Sequence, residues 1–512
     1  MDKKNSKKAK KKNNKFANRV LLYTGFFLAA LLIVSGIVLV ANIASLKIFS
    51  RVFIGLGIGY VLLVGGFIAF MQRWKIPGII FKVISLLLTI VMITASVYIN
   101  ITRKALTGIS GTDTQIDKIA LYVRADDPAN DVTDMSDYRF AIIKDHSIEA
   151  ISIALDKLGE AFGKTIEPAE YNDAATMFEA LSNDEVDALL VNESYIALLE
   201  GIEGFEELSA IIRVVWTEDI EIQVPTKDND NPSGEENPSG EQNPTDPVVQ
   251  PADNKIFTIY VSGIDVYGSP NETRNSDVNI ILTVNMNTHE VVMINTPRDF
   301  YVQIPVYDYN YDKLTHAGTK GVQASIDTLE NLYGINIDYY VRLNFTGFTK
   351  IIDALGGITV YSAYEFDTID GKHFSKGYID LNGADALSFA RERKHLPSGD
   401  RARGINQMAV INAMISKLSK PEALANYTSI LNAITDCMVT SMSYDKIAEI
   451  VRMQLNDMQP FYVVNYAVDG TGANLKSYAL GFNTYMMVPN QDTVNQAKKY
   501  FNAILNNEVL KK

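Results

Sequence analysis

The sequence predicts an α/β protein on a membrane anchor. A mixed sheet flanked by helices forms the larger ectodomain, a small α/β accessory domain precedes it, and three transmembrane helices lie at the N-terminus. Three observations carry this. The first 104 residues contain three long apolar runs; beyond them, strand-like Val/Ile runs alternate with segments whose apolar residues recur every three or four positions; and a stretch rich in Pro, Gly and Asn divides the second part in two. At 512 residues the chain needs several modules, since a domain holds roughly 100–200 residues. A single cysteine, Cys437, excludes an internal disulfide and a Cys-based zinc site. Of 47 basic and 60 acidic residues, positions 1–104 hold 16 and one, so a basic anchor precedes a strongly acidic remainder.

Residues 1–19 form a basic tail, and residues 20–104 hold the spans Val20–Leu46, Val52–Gln72 and Ile76–Ile101, interrupted only by Lys82. Each exceeds the ~20 residues that cross the hydrocarbon as helix. The first is too long for a signal-peptide core, and two more follow it. Lysine enrichment before the first span places the N-terminus in the cytoplasm, and three crossings then leave everything beyond Arg103 extracellular. The chain is thus expected as a multi-pass protein of the cell membrane. The tail is read as a topology signal and anionic-lipid contact, with no nucleic-acid partner. Gly55, Gly57 and Gly59 include a GxxxG spacing that suits close helix approach.

Residues 105–225 read as the accessory α/β domain. Strands are expected at Ile119–Val123, Arg139–Ile143 and Val186–Val191, with an extended segment Thr165–Tyr171. Ser147 and Asp173 are expected to cap helices, and the alternation implies a largely parallel sheet. Residues 226–254, with NPSGEE followed by NPSGEQ, lack large apolar side chains and read as a polar spacer. Residues 255–512 form the larger domain. Its strands are expected at Lys255–Ser262, Val278–Asn285, Glu290–Asn295, Tyr339–Asn344 and Ile358–Tyr361. Helices are expected at Gly321–Tyr333, Phe345–Leu355, from Asn382 towards Arg391, and at Arg403–Leu418, Pro421–Thr435, Tyr444–Leu455 and Gln491–Leu505.

This domain carries no G-x-S-x-G elbow, H-E-x-x-H or Walker motif, and His289, His316, His373 and His395 have no metal-ligand spacing. Arginines and aspartates instead stand at the ends of the expected elements. Asp265 follows the first strand, Arg274 and Asp277 precede the second, and Arg298-Asp299 follows the third. Arg391 and Arg393 end a helix, and Arg403 and Gln407 share a helix face. Guanidinium groups grip phosphate oxygens with a planar fork, and magnesium favours one or two carboxylates with phosphate oxygens and water. Such a set suits a pyrophosphate neutralised by a divalent ion, although each Arg–Asp pair taken alone also reads as a surface salt bridge.

The strings Val261-Ser-Gly-Ile-Asp265, Arg274-Asn-Ser-Asp277, Thr296-Pro-Arg-Asp299, Lys313-Leu-Thr-His-Ala317 and Asp353-Ala-Leu-Gly-Gly357 resemble the LytR-CpsA-Psr family. So does Gly383-Ala-Asp-Ala-Leu-Ser-Phe-Ala-Arg391-Glu-Arg393, followed by Gly399-Asp400, Arg403 and Gln407. Three spans and an accessory domain look most like its capsule-associated branch. The resemblance implies a phosphotransferase that moves a glycopolymer, capsule or teichoic-acid-like, from a polyprenyl-pyrophosphate carrier to a peptidoglycan sugar hydroxyl. Peptidoglycan, the membrane and capsule-synthesis proteins are then the partners. It implies catalytic roles for Asp265, Arg274, Arg298, Asp299, Arg391 and Arg393, and pyrophosphate binding by Arg274, Arg298, Arg391, Arg393, Arg403 and Gln407. A magnesium ion, or another divalent cation, would sit on Asp265 and Asp277. Asp265 or Asp299 would take the acceptor proton. Leu329, Leu332, Phe345, Phe348 and Ile351 are candidates for the lipid groove, and also read as ordinary core. Many relatives carry a further basic residue where this chain has Gly404, Ile405 and Asn406. The alternatives are a pyrophosphatase acting on the same lipid and a non-catalytic regulator or assembly factor of capsule synthesis.

Overall fold

The computed structural model describes residues 2–111, 114–144, 147–200, 208–224, 251, 255–264, 269–418, 427–457 and 459–510. Asp265 and nearly all of the expected spacer 226–254 lie outside them. The chain divides into two compact units, Met1–Gly108 with Ser443–Met458, and Ile109–Met442 with Gln459–Lys512.

The first unit is built on α1 (Asp2–Ser45), α2 (Arg51–Met71) and α3 (Lys75–Ile109). Each is long and apolar enough to cross a membrane, the first from Asn18 onward. The expected glycine contact falls elsewhere. Added Cβ atoms at Gly55 and Gly59 would meet open space, whereas Gly65 closes on Ile33 and Gly36 on Val61. The spacing of Gly55 and Gly59 is right, but they occupy the helix face turned away from its neighbours. Within this unit Asp445 accepts from Lys47 at 2.6 Å.

The second unit begins with β1 (Thr114–Arg124), β2 (Phe140–Ile143), α4 (Ile148–Phe162), β3 (Ala169–Tyr171), α5 (Ala174–Ser182), β4 (Ala188–Asn192), α6 (Glu193–Glu200), α7 (Leu208–Ile211) and β5 (Ile212–Gln223). The sheet order is β3-β2-β4-β1-β5. Only β3, β2 and β4 run parallel; β1 is antiparallel to both β4 and β5, so the expected largely parallel sheet is a mixed one. The expectation omitted β5 because Glu218, Asp219 and Glu221 interrupt its apolar pattern, leaving Ile212, Ile220 and Ile222 as its buried residues. Asp173 caps α5 by accepting from the Thr176 amide at 2.9 Å. Ser147 stands at the start of α4 but makes no cap bond; its hydroxyl accepts instead from the buried Asn192 amide at 3.3 Å.

The larger domain continues with β6 (Ile256–Ile264), β7 (Ser276–Asn285), β8 (Glu290–Asn295), the hairpin β9 (Tyr301–Ile304) and β10 (Asn310–Lys313), α8 (Leu314–Ala317), α9 (Val322–Tyr333), β11 (Tyr339–Asn344) and α10 (Phe345–Ala354). Then come β12 (Ile358–Ser362), β13 (Phe366–Asp367), β14 (His373–Phe374), β15 (Gly377–Leu381), α11 (Gly383–Arg391), α12 (Asp400–Leu418), α13 (Tyr427–Cys437), β16 (Met438–Thr440), α14 (Tyr444–Asp457, in the first unit), β17 (Tyr462–Ala467), β18 (Gly470–Lys476), β19 (Asn483–Pro489) and α15 (Gln491–Leu505). The main sheet is mixed, in the order β16-β11-β6-β7-β8-β17.

Side chains alternate across this sheet and serve two cores. Tyr260, Ile281, Val292 and Ile294 pack with Leu329, Tyr333, Phe501 and Ile504 of α9 and α15. Val261, Ile280, Leu282 and Met293 face Met408 of α12. The first core also takes in Met177, Leu181, Leu189, Val191 and Tyr195, so the accessory domain and the larger domain share one apolar interior. Four of the five proposed groove residues are core: Leu329 and Leu332 belong to that interior, while Phe348 and Ile351 belong to a separate cluster around Phe389 and Val410; Phe345 is buried but belongs to neither cluster.

Candidate functional site

Strand direction gathers the functional loops. β11 is parallel to β6, and β17 to β8, while β7 runs antiparallel between β6 and β8. Register pairs Ile264 with Asn344 and Ser276, and Asn295 with Ile280 and Ala467. One end of the sheet therefore carries the starts of the loops after β6, β8, β11 and β17, and the first residues of β7. Strand ends of this kind hold reacting groups on a rigid base.

Here cations alternate with carboxylates. Arg298 Nη1 donates to Asp277 Oδ1 at 2.5 Å, and its Nε lies 3.9 Å from Asp299 Oδ1. Arg393 Nη1 donates to Asp299 Oδ2 at 3.0 Å, and Lys313 Nζ stands 4.0 Å from Asp299 Oδ1. Arg403 pairs with Asp400 one turn earlier on α12. Gln407 accepts from Asn295 at 3.4 Å and donates to the Ala390 carbonyl at 3.3 Å, which joins α12 to the end of β8 and to α11. Four cations thus face three carboxylates, leaving this group net positive.

The charges act on one another. Asp277 foremost, outweighing burial and aided by Asp299, holds Arg298 protonated well above its ordinary range. Burial lowers Lys313 against the pull of Asp299. Burial likewise pushes Asp400 above the usual carboxylate range, against Arg403 and with the help of Asp299. The Nε of Arg298 is buried with no hydrogen-bond partner, 3.9 Å from Asp299 Oδ1.

Two expected arginines have their contacts outside this chain of charges. Arg274 is held by Glu193 of α6 at 3.0 Å and by Glu272 at 3.5 Å. Arg391 lies over the Phe345 ring, 4.4 Å from its centroid, at the end of β11. Among the described residues no group of three or more His, Cys, Asp or Glu side chains could hold a metal. Of the two expected magnesium ligands, Asp277 follows Ser276, which pairs with Ile264, and Asp265 lies outside the described residues.

The absent basic residue after Arg403 has a steric counterpart. A Cβ at Gly404 would run into the Asn295 amide, and Asn406 is buried, donating to the Phe389 carbonyl at 3.2 Å. Arg401, off the motif, points to Asp469 at 3.9 Å and lines a groove of about 590 Å³ with Tyr361, Ile405, Met408, Ala409 and Tyr466.

Spacing did not single out Lys313, Glu392 or Asp400, although all three stand inside or beside the motif strings. An acidic residue between two arginines reads as a solvated surface group, yet Glu392 is 4% exposed. It accepts from the backbone amides of Ile369 at 2.9 Å, Arg393 at 2.9 Å and His395 at 3.0 Å. Against the effect of burial, these bonds hold its carboxyl below the ordinary range. Glu392 therefore nails the turn that carries both arginines. Glu392→Ala strands three donors and is expected to cost about 2–4 kcal/mol. Glu392→Gln, which keeps a carbonyl oxygen, should retain most of that. Thermal unfolding of the two variants measures the difference.

An α/β domain with arginines and aspartates gathered at one end of its main sheet, in a chain with three membrane-length apolar helices, defines the class. A sequence model of the LytR_cpsA_psr family matches residues 223–502, more than half of the chain, and the chain belongs to that family. The polyisoprenyl-teichoic acid–peptidoglycan teichoic acid transferase TagU of Bacillus subtilis is 33% identical over 195 residues, covering 38% of this chain and 62% of TagU. TagU of Enterococcus faecalis is 36% identical over 196 residues, covering 38% and 64%. The chain thus spans less than two thirds of the length of either relative. The crystal structure of B. subtilis TagV aligns over 50% of this chain and 100% of its own, at 27% identity and a TM-score of 0.42.

Proposed function

We propose that this protein is a membrane-anchored transferase that moves a glycopolymer from a polyprenyl-pyrophosphate carrier to a peptidoglycan sugar hydroxyl. The chain of charges Asp277–Arg298–Asp299–Arg393 carries the reading, because it presents several fixed cations to one compact polyanion. The N-terminus lies in the cytoplasm and the site outside, where the lipid carrier presents its polymer.

The acceptor hydroxyl oxygen attacks the phosphorus that bears the polymer. The phosphoanhydride bond breaks, and polyprenyl phosphate leaves with the electron pair. Arg298, Arg393 and Arg403 stabilise the charge on the transferring and leaving phosphates, the kind of term that usually dominates such catalysis. Arg274 and Arg391 close the pyrophosphate site, and Gln407 sets the position of α12. An aspartate, Asp265 or Asp299, takes the acceptor proton. A magnesium ion on Asp265 and Asp277 would add Lewis-acid charge neutralisation at the diphosphate. The groove beside α12, with Ile405, Met408 and Ala409, is the apolar surface offered to the lipid.

Arg391→Ala and Asp277→Ala are each expected to abolish polymer attachment while membrane insertion and expression remain. Attachment is read by release of wall-bound polymer, and donor turnover with and without peptidoglycan acceptor separates transfer from hydrolysis. Polymer attachment that survives both substitutions overturns the reading.

A further inference from the structure

Residues 269–275, which lead into β7 and bear Arg274, are secured from outside their own domain. Ile116 of β1, in the accessory domain, donates to the Asn271 carbonyl at 2.9 Å and accepts from the Thr273 amide at 2.8 Å, forming a parallel bridge with Glu272. Thr273 is buried, as is Asp117, the residue after Ile116 on β1. Arg342 of β11 holds the Glu272 carbonyl at 2.8 Å. One residue beyond this suture, Arg274 Nη2 meets Glu193 Oε2 at 3.0 Å. The other carboxylate oxygen of Glu193 faces Lys118 Nζ at 3.3 Å. Its two oxygens are thus divided between two cations, which fixes the carboxylate plane. Arg274 and Glu193 side chains are only 18% and 19% exposed, so this pair is not a loose surface contact.

We propose that Glu193 is a positioning residue for Arg274, and that through it the accessory domain completes the diphosphate site. The proposal rests on the pyrophosphate-site reading above. A guanidinium has five N–H donors in a rigid fork. With Nη2 on Glu193 and Nε on Glu272, the group is oriented in advance and its remaining edge is presented to phosphate oxygens. Without Glu193 the side chain must be ordered by the ligand itself, which weakens binding.

The test uses full-length protein in detergent with magnesium and farnesyl diphosphate as the probe. Glu193→Ala is expected to weaken binding about tenfold, the scale of one charge-assisted hydrogen bond. Glu193→Gln keeps an acceptor oxygen and should bind within about threefold of wild type. In turnover with a lipid-linked donor, KM should rise in the Ala variant with little change in kcat, as for an interaction made equally in ground and transition states. Rescue by Gln excludes mere loss of local charge. Arg298→Ala is the control. Should it leave binding of the probe unchanged, the pyrophosphate-site reading fails. If Arg298→Ala weakens binding while Glu193→Ala leaves it unchanged or tightens it, the positioning role of Glu193 alone is overturned.

Discussion

Arg298→Ala should stop the proposed transfer and destabilise the larger domain in one step. Arg298 is the only side chain described here that touches both Asp277 and Asp299. Its removal leaves Asp299, 4% exposed, beside Asp400, another buried carboxylate that already suffers from the charge of Asp299. Removing one partner from a fully buried pair costs about 3–5 kcal/mol. Arg298 is itself about one-third exposed, so the expected loss is nearer 1–3 kcal/mol. The catalytic loss is larger, since one well-placed oxyanion donor accounts for a factor on the order of 10²–10³ in rate. Arg298→Lys separates the two effects. It restores the charge between the aspartates but not the planar fork that can hold Asp277 and a phosphate together. Thermal stability should largely return while transfer remains down by about 10². A lysine variant with wild-type transfer would show that point charge alone suffices, and the geometric argument would fall.

The elements at this site were legible where physics repeats along the chain. β8, β11 and α15 occupy the expected residues because short apolar runs and a 3–4 periodicity leave few alternatives. Arg298 and Asp299 were legible because they directly follow a strand through Pro297. The hairpins β9–β10 and β18–β19 were not, since Asn310–Lys313 and Gly470–Lys476 lack an apolar alternation and are set by packing. Arg274 shows a different limit. Its type and place in the motif were readable, but its partner Glu193 lies 81 residues earlier, at the start of α6 in the accessory domain. Only the fold brings the two together. Lys313 and Glu392 were obscured for a related reason: a charge is read as solvated until the structure shows what buries it.

Asp312→Ala should be among the most damaging changes to stability, though Asp312 lies outside the predicted site. Its buried carboxylate accepts from Ser477 Oγ at 3.0 Å through both oxygens, from the Ala479 amide at 2.9 Å and from its neighbour's Lys313 amide at 2.8 Å, and it pairs with His316 Nδ1 at 2.9 Å. Burial alone would raise its pKa; the charge of His316 and these hydrogen bonds prevail and hold it below the ordinary value. The sign for stability follows. A carboxyl depressed in the folded state contributes fully above its unfolded value of about 3.9, and that contribution is lost as pH falls through the lower folded value. Asp312 should therefore leave stability level between pH 7 and 5 and add an acid limb below about pH 4. Asp312→Ala is expected to cost about 3–5 kcal/mol at pH 7, and Asp312→Asn somewhat less because it keeps one acceptor. Both should flatten the acid limb in a denaturant-unfolding series against pH. An unchanged limb in the asparagine variant would assign acid lability to other carboxylates. The effect should also reach the site. Ala479 accepts from the Ala174 amide at 3.3 Å and from the Tyr195 hydroxyl of the accessory domain, and Lys313, next in sequence, stands beside Asp299. Loosening Asp312 thus loosens both the accessory-domain contact and one of the site's cations. Transfer by the asparagine variant should then fall at temperatures where the domain is still folded.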